Sequence, residues 1–210
     1  MKMNKIITVC LITASSLAFA SMTIAATPGS YIGLGLGGSN VPSPNIFAAT
    51  TSTTTMGFAG RAFGGYNVNR NFGVEAGYAY YKQASANVSS GGASASLTRD
   101  ISTINLVGKA YLPLEDNFDL YALGGGAMVL NKVGYTNSGV PVNAGVSYAA
   151  GTAHMISPEL GAGAMYAISN QLSTGVEYSY IFSGHGNTNT NSTATPGSGL
   201  LTVDLSYYFG

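Results

Sequence analysis

The sequence predicts an all-β fold, namely an eight-stranded antiparallel up-and-down transmembrane β-barrel. Three observations lead to this prediction. Only 8% of the 210 residues are charged, while glycine (29) and tyrosine (14) are abundant, whereas soluble domains carry about 25% charged residues. Apolar and small side chains alternate with a period of two, as successive side chains of a strand do. Long and short connections also alternate along the chain, which is typical of outer-membrane barrels.

The N-terminus has the features of a cleaved export signal. Lys2 and Lys5 precede an apolar run with small-residue cleavage patterns at its end. The candidate cleavage points follow Ala20, Ala25 or Ala26. We therefore expect a signal peptide over residues 1–26 and a barrel domain over residues 27–210. Cys10 lies within the signal, so the mature chain is expected to contain no cysteine.

Eight segments have the length and pattern of membrane-crossing strands. They span residues 29–38, 56–67, 72–83, 98–112, 118–131, 154–168, 172–182 and 200–209. Each reaches at least about the 10 residues that a tilted strand needs to cross a bilayer. Long connections are expected at 39–55, 84–97, 132–153 and 183–199, and short turns at 67–71, 113–117 and 169–171. Because short turns are periplasmic in such barrels, both chain ends are expected on the periplasmic side.

The alternation assigns one bulky and one small face to each strand. In the seventh strand the bulky face comprises Leu172, Thr174, Val176, Tyr178, Tyr180 and Phe182. The opposite face carries Ser173, Gly175, Glu177, Ser179 and Ile181. Across the strands, glycine and alanine are too frequent on the small faces for a water-exposed exterior, but they fit the narrow lumen of an eight-stranded barrel. The bulky faces are therefore expected to contact lipid.

Aromatic residues near the strand ends fit the girdles that flank the apolar band of such barrels. These residues are Tyr66, Tyr78, Tyr80, Tyr178, Tyr180, Tyr207 and Phe209. The alternative is a soluble periplasmic β-protein that binds an apolar ligand and places its bulky residues inside. That alternative leaves very few charges for a solvated surface, so we favour the membrane interpretation.

Six charged residues fall on the small faces: Arg61, Glu75, Lys109, Glu159, Glu177 and Asp204. A charge that faces lipid at the bilayer midplane costs about 2–4 kcal/mol, so all six are expected to point into the lumen. There they should pair, because an unpaired charge in a low-dielectric interior is costly. Two bases cannot neutralise four acids, so some of the acids must be hydrated or protonated.

No pattern points to catalysis, a cofactor, a metal or nucleic acid. The two histidines, His154 and His185, lie near strand–loop junctions, and no acid lies near His185 in the sequence to orient it. Glu159 follows His154 at an odd step, which puts the two on opposite faces of a strand. Histidine and cysteine do not recur at metal-ligand spacing. The net charge of zero argues against a nucleic-acid partner.

Four stretches resemble the barrel domain of the outer membrane protein A (OmpA)-like family. They are Phe63-Gly-Gly-Tyr-Asn-Val-Asn-Arg-Asn-Phe-Gly-Val-Glu-Ala-Gly-Tyr78, Gly108-Lys-Ala-Tyr-Leu-Pro-Leu-Glu-Asp-Asn-Phe-Asp-Leu-Tyr-Ala-Leu-Gly-Gly125, Leu172-Ser-Thr-Gly-Val-Glu-Tyr178 and Leu205-Ser-Tyr-Tyr-Phe-Gly210. The resemblance covers nearly the whole chain after the expected signal. It implies a Gram-negative outer membrane, contact with its lipid and lipopolysaccharide, and assembly by the barrel-assembly machinery.

The resemblance also implies a role for three of the lumen charges. Glu75, Lys109 and Glu177 occupy positions similar to those of the family's salt-bridge plug or gate. We favour a plug that neutralises buried charge and fixes strand register, because eight strands fill their own interior. A gate in a narrow pore is the other possibility.

Three features depart from the family pattern. Relatives often carry arginine where this chain has Gly175, so the charge network here contains fewer bases. In the family the chain ends on an aromatic residue, which is similar to the signal that the assembly machinery reads. Here Gly210 follows the last aromatic residue, Phe209. The peptidoglycan-binding domain of larger relatives is not expected, because the chain stops at its last strand.

The expected function is a structural or surface role in the outer membrane, with at most a narrow gated pore. The alternative is an adhesin-like interaction protein that acts through its four long extracellular loops. These loops are rich in Ser, Thr, Asn, Gly and Ala and nearly uncharged, so they have little to bury against the barrel. Host or phage surface molecules are the partners that this alternative implies.

Overall fold

The computed structural model describes residues 26–41, 52–54, 56–90, 93–138, 151–183 and 197–209. These residues form nine strands: β1 (Gly29–Asn40), β2 (Ser52–Thr54), β3 (Met56–Asn67), β4 (Phe72–Ser90), β5 (Ala93–Glu115), β6 (Phe118–Ser138), β7 (Gly151–Ala167), β8 (Leu172–Ile181) and β9 (Ser198–Phe209). Within this part of the chain, no helix is long and apolar enough to cross a bilayer. The expected signal peptide lies outside the described residues, apart from Ala26.

Eight of the strands close into a barrel. Hydrogen-bonded neighbours follow the order β4-β3-β1-β9-β8-β7-β6-β5, and a further pairing between β5 and β4 completes the ring. All these pairings are antiparallel. A closed ring leaves no strand edge facing hydrocarbon, where an unsatisfied backbone group costs several kcal/mol. The predicted eight-stranded antiparallel barrel is confirmed.

The strands at the long-connection end run further than the sequence predicts. Of the expected loop 84–97, residues 84–90 and 93–97 pair with each other or with neighbouring residues, because β4 continues to Ser90 and β5 starts at Ala93. The short strand β2 lies within the expected loop 39–55 and pairs with this extension of β4. Strand β6 likewise continues to Ser138. The composition of these segments is typical of loops. Their small residues still join strands where a neighbouring strand continues the hydrogen-bond ladder and satisfies the backbone groups.

Short turns join β3 to β4, β5 to β6 and β7 to β8 at the opposite end of the barrel, as predicted. In the first turn, Asn69 Oδ1 accepts hydrogen bonds from the backbone N–H groups of Asn71 (2.9 Å) and Phe72 (2.8 Å). Ser169 Oγ makes the equivalent contacts in the third turn. Such side-chain caps replace a backbone turn bond, so local sequence fixes this end of the barrel.

Side chains alternate between the outside and the lumen along each strand. The bulky face points outward, and Leu34 and Leu106, for example, are each 66% exposed. The girdle residue Tyr66 is also exposed, at 51%. An exposed apolar surface of this extent needs hydrocarbon around it. The predicted orientation, with bulky residues outside, is the one observed.

The inward face is less uniformly small than the sequence suggests. Among the residues whose burial the structure describes, it holds five buried tyrosines: Tyr31, Tyr81, Tyr111, Tyr121 and Tyr208. Glycines on neighbouring strands leave room for them. A Cβ atom added at Gly65 would lie 2.5 Å from the Tyr31 hydroxyl, and one added at Gly163 would lie 2.5 Å from the Tyr121 hydroxyl. The glycines therefore make space for specific aromatic rings, and not for an open channel.

Candidate functional site

All six charged residues that the sequence places on the small faces point into the lumen. They lie on six different strands: Arg61 on β3, Glu75 on β4, Lys109 on β5, Glu159 on β7, Glu177 on β8 and Asp204 on β9. Each is buried, with at most 8% of its surface exposed. The inward placement follows from the period of two, because a single strand position decides between lipid and lumen.

Four of the charges form a closed ring of ion pairs, which we call the lumen clamp (Arg61, Glu75, Lys109 and Glu177). Arg61 Nη2 lies 2.7 Å from Glu75 Oε1, and Arg61 Nη1 pairs with Glu177 Oε1. Lys109 Nζ lies 2.5 Å from Glu75 Oε2 and 3.2 Å from Glu177 Oε2. Each base thus contacts both acids and each acid contacts both bases. This arrangement matches two positive charges with two negative charges.

The lumen clamp joins opposite walls of the barrel. In the ring of eight strands, β4 and β8 are separated by three strands in either direction, so Glu75 and Glu177 face each other across the lumen. Arg61 and Lys109 lie on β3 and β5, the two neighbours of β4. Both bases therefore leave the wall that carries Glu75 and reach across to Glu177.

Two tyrosines complete the hydrogen bonding of the clamp. Tyr31 Oη donates to Glu75 Oε2, and Tyr121 Oη donates to Glu177 Oε2, each at 2.9 Å. The Arg61 guanidinium carbon lies 4.2 Å from the centroid of the Phe63 ring, a cation–π distance. The inward position of Tyr31 follows from alternation in β1, but the pairing with an acid on β4 has no signal in the sequence.

The remaining two predicted charges lie beside the clamp. Asp204 Oδ1 is 3.9 Å from Arg61 Nε, at the outer limit of an ion pair. Glu159 accepts a hydrogen bond from Asn105 Nδ2 at 3.0 Å. Among the described residues it forms no ion pair within 4.0 Å. Glu159 therefore lies in the lumen without joining the four-membered ring.

One inward acid, Asp119, is absent from the predicted set. It lies on β6 with none of its surface exposed. Alternation could have found it, because Tyr121 and Leu123 on the same strand are also buried and lie an even number of residues away. It lies near the end of the barrel that carries the short turns, away from the lumen clamp.

Apolar layers cover the lumen clamp on both sides. The turn-side cluster contains Ala26, Tyr31, Phe63, Val107, Tyr111, Tyr121, Leu123, Met165 and Tyr208. The loop-side cluster contains Val41, Ala59, Ala79, Tyr81, Ile101, Ala127, Val129, Ile181 and Leu200. Two lumen cavities among the described residues measure about 20 Å³ and about 10 Å³. Each has room for about one water molecule.

The histidines do not join this site. His154 lies on β7 with an exposed side chain, and His185 lies outside the described residues. Within the described part of the chain, no group of three or more His, Cys, Asp or Glu residues is placed to hold a metal ion.

Comparison with known proteins gives concordant results. The family model described as the OmpA-like transmembrane domain matches residues 25–210. An uncharacterized protein of Coxiella burnetii is 31% identical over 180 residues, which cover 76% of this chain and 71% of that protein. Outer membrane protein A of Salmonella typhi is 32% identical over 186 residues. That match covers 86% of this chain and 48% of the relative, so the chain spans about half the length of this curated relative.

A solved structure shows the same fold. The crystal structure of Neisserial surface protein A (NspA) superposes with a TM-score of 0.51 at 17% identity. The superposition covers 86% of this chain and 97% of that structure.

Proposed function

The chain belongs to the OmpA-like transmembrane domain family and lies in the outer membrane, and we propose that its role there is structural, as a barrel with a closed lumen. The observation that carries this proposal is the lumen clamp, which ties β3, β4 and β5 to β8 across the barrel. Ion pairs that connect opposite walls resist sliding of the strands past one another and flattening of the barrel. The protein would thereby hold its extracellular end rigidly at the cell surface.

The apolar layers support closure of the lumen over an open pore. Ions crossing the barrel would have to pass two clusters of buried apolar side chains as well as the clamp. Eight strands leave little interior volume in any case. Conduction would require the bases to leave Glu75 or Glu177, and separating a buried pair is strongly unfavourable. The barrel is therefore at most a narrow pore that opens when the clamp rearranges.

Planar-bilayer recordings test this proposal. The wild type and Lys109→Ala are both expected to show near-zero conductance, because the apolar layers remain when one base is removed. Lys132→Ala is the matched control, since Lys132 is exposed at the loop end of β6. A wild type with large, long-lived openings would overturn the structural role. Openings confined to Lys109→Ala would instead identify the clamp as the gate of a narrow pore.

A second candidate function is interaction at the cell surface, and the extended strands favour it. Beyond the barrel wall, β2, β4, β5 and β6 stay paired, as the pairs Ser52↔Asn87, Asn87↔Ser96 and Ser96↔Thr136 show. This sheet would offer a preformed binding surface to a host or phage surface molecule. Replacing residues 86–97 by a two-residue turn should abolish partner binding if the sheet is the binding surface. The barrel should still assemble, because its closing pairs from Phe72↔Ala110 to Tyr81↔Ile101 are untouched.

Membership of this family also suggests how the chain is inserted into the outer membrane and which lipid it contacts there. We infer that the barrel-assembly machinery inserts the chain by reading the aromatic end of β9, where Phe209 is 54% exposed. We also infer that lipopolysaccharide packs against the aromatic residues at the loop end of the wall. Replacing Phe209 with alanine should lower the yield of folded protein in the outer membrane while refolding into detergent stays unchanged.

A further inference from the structure

The carboxylate of Asp119 is buried near the short-turn end of the barrel without a charged partner in the described part of the chain. None of its surface is exposed. Neither carboxylate oxygen accepts a hydrogen bond of standard distance and angle from the described residues. The backbone N–H of Ala26 is the group directed at it. A buried carboxylate normally has a cation or several donors around it. A cationic group beside Asp119 would therefore match its charge better than a single peptide N–H does.

Residues 26–28, which precede β1, are folded into the barrel toward this carboxylate. Ala26 is 1% exposed and packs within the turn-side cluster with Tyr111 and Tyr208. Thr27 is held there because its carbonyl oxygen accepts a hydrogen bond from Asn67 Nδ2 at 3.1 Å. Since β1 and β6 are separated by three strands in either direction, Asp119 lies on the wall opposite β1. Residues 26–28 thus extend from the wall at β1 toward the opposite wall.

Gly29 makes this inward turn possible. Its φ is +135°, in a region that residues with a side chain rarely adopt. Pro28 precedes it, and the strand pairs of β1 begin at Gly29 itself. Three residues, 26–28, can span about 10 Å, which is enough to leave the wall and enter the mouth of an eight-stranded barrel.

We propose that the mature protein begins at Ala26 and that its α-ammonium group forms a buried ion pair with Asp119 at the periplasmic mouth. Signal peptidase would hydrolyse the Ala25–Ala26 peptide bond, consuming one water and leaving a carboxylate on Ala25 and an ammonium on Ala26. The new ammonium has three donors and a positive charge, where the peptide had one N–H. It stays protonated at neutral pH, since an α-amino group ordinarily has a pKa near 7.7–8.0.

Cleavage of the signal peptide would thus create the cationic group that pairs with Asp119 in the folded barrel. Thr23 and Ala25 are the small residues that a cleavage pattern of this kind requires before the cut. Cleavage after Ala20 would leave five further residues attached to a buried Ala26, and cleavage after Ala26 would remove it. Because Ala26 is enclosed in the folded barrel, the cut must precede folding.

Two measurements test the proposal. N-terminal sequencing of the protein purified from outer membranes should give Ala-Thr-Pro-Gly-Ser, the sequence that starts at Ala26. A mature chain that starts at Ser21 or Thr27 would overturn it. The second measurement compares the chain from Ala26 to Gly210 with a free and with an acetylated N-terminus, each as wild type and as Asp119→Asn. Urea unfolding is followed by the gel mobility of unheated samples.

The ion pair predicts a coupled result. Acetylation should lower the folded-to-unfolded ratio of the wild type at least tenfold at fixed urea, and should change that of Asp119→Asn little. Asp116→Asn is the control, because Asp116 is exposed in the adjacent turn, and it should keep the full sensitivity to acetylation. An equal effect of acetylation in wild type and Asp119→Asn would show that the ammonium and Asp119 do not interact.

Discussion

Lys109 and Glu177 are joined across the lumen, with Lys109 Nζ 3.2 Å from Glu177 Oε2. The two residues lie on β5 and β8, which share no backbone pairing in the barrel. This contact therefore couples parts of the wall that the hydrogen-bond ladder connects only indirectly, through β6 and β7 on the shorter way around the ring. We therefore expect the ion pairs of the lumen clamp to hold the wall as well as to neutralise charge.

Removing one base of the clamp should destabilise the barrel. Lys109→Met leaves Glu75 and Glu177 with Arg61 alone, and breaking a buried pair costs about 3–5 kcal/mol. Adding Glu177→Gln should recover part of this loss, since the acid that has lost Lys109 is then neutral. The measurement is urea unfolding of the two single variants and the double variant in detergent, read by gel mobility.

The control for this cycle is Lys132→Met, a change at an exposed lysine of β6, which should alter stability by less than about 0.5 kcal/mol. Strictly additive effects of Lys109→Met and Glu177→Gln would mean that the two residues do not interact.

The tyrosines of the clamp should depend on the glycines beside them. A Cβ atom at position 163 would lie 2.5 Å from the Tyr121 hydroxyl and 2.7 Å from the backbone oxygen of Val176. Gly163→Ala should therefore push Tyr121 away from Glu177 and cost about 1–3 kcal/mol, the usual range for overpacking. Thermal or urea unfolding in detergent measures this loss.

Gly126→Ala is the matched control, because a Cβ atom there would meet nothing within 4 Å. The explanation would fail if both alanine variants were equally stable, or if a Tyr121→Ala background, which lacks the ring, kept the whole cost of Gly163→Ala.

The first short turn should lose stability when its capping side chain is removed. Asn69 Oδ1 accepts two backbone hydrogen bonds, and loss of such a side-chain cap costs about 1 kcal/mol in helix N-caps, where the bonding is similar. We expect Asn69→Ala to lower the free energy of unfolding by a similar amount. Arg70→Ala in the same turn should change it little, and an equal effect of both changes would contradict the capping role.

The period of two predicted the faces of the strands, because it requires only that each strand alternate. It predicted inward positions for Glu75 and Glu177, which are each 2% exposed in the structure, and extending it along β6 would have predicted the same for Asp119. It could not predict that Lys109 and Arg61 meet the same two acids. That outcome depends on how the strands are staggered around the closed ring, and stagger is a property of all eight strands together.

At the loop end of the barrel, amino-acid composition predicted the strand ends less well than the period of two predicted the strand faces. The Ser- and Ala-rich segment 84–97 has the composition of a loop, yet its described residues lie in the pairs from Ala84↔Arg99 to Ser90↔Ala93. Small residues neither favour nor prevent pairing strongly. Two antiparallel strands that leave the membrane side by side can continue to exchange backbone hydrogen bonds. The local sequence of one segment does not show whether such a neighbour is present.

The central claim is that alternate residues of each strand face hydrocarbon and the lumen. Its most direct test is thiol labelling from the lipid phase of Leu106→Cys and Val107→Cys, in a chain without residues 1–25, which hold the single cysteine, Cys10. Leu106 is 66% exposed and Val107 is 3% exposed. A reagent confined to hydrocarbon should label the thiol at position 106 and spare the one at position 107. Labelling of position 107 with protection of position 106 would invert the barrel faces and contradict the account.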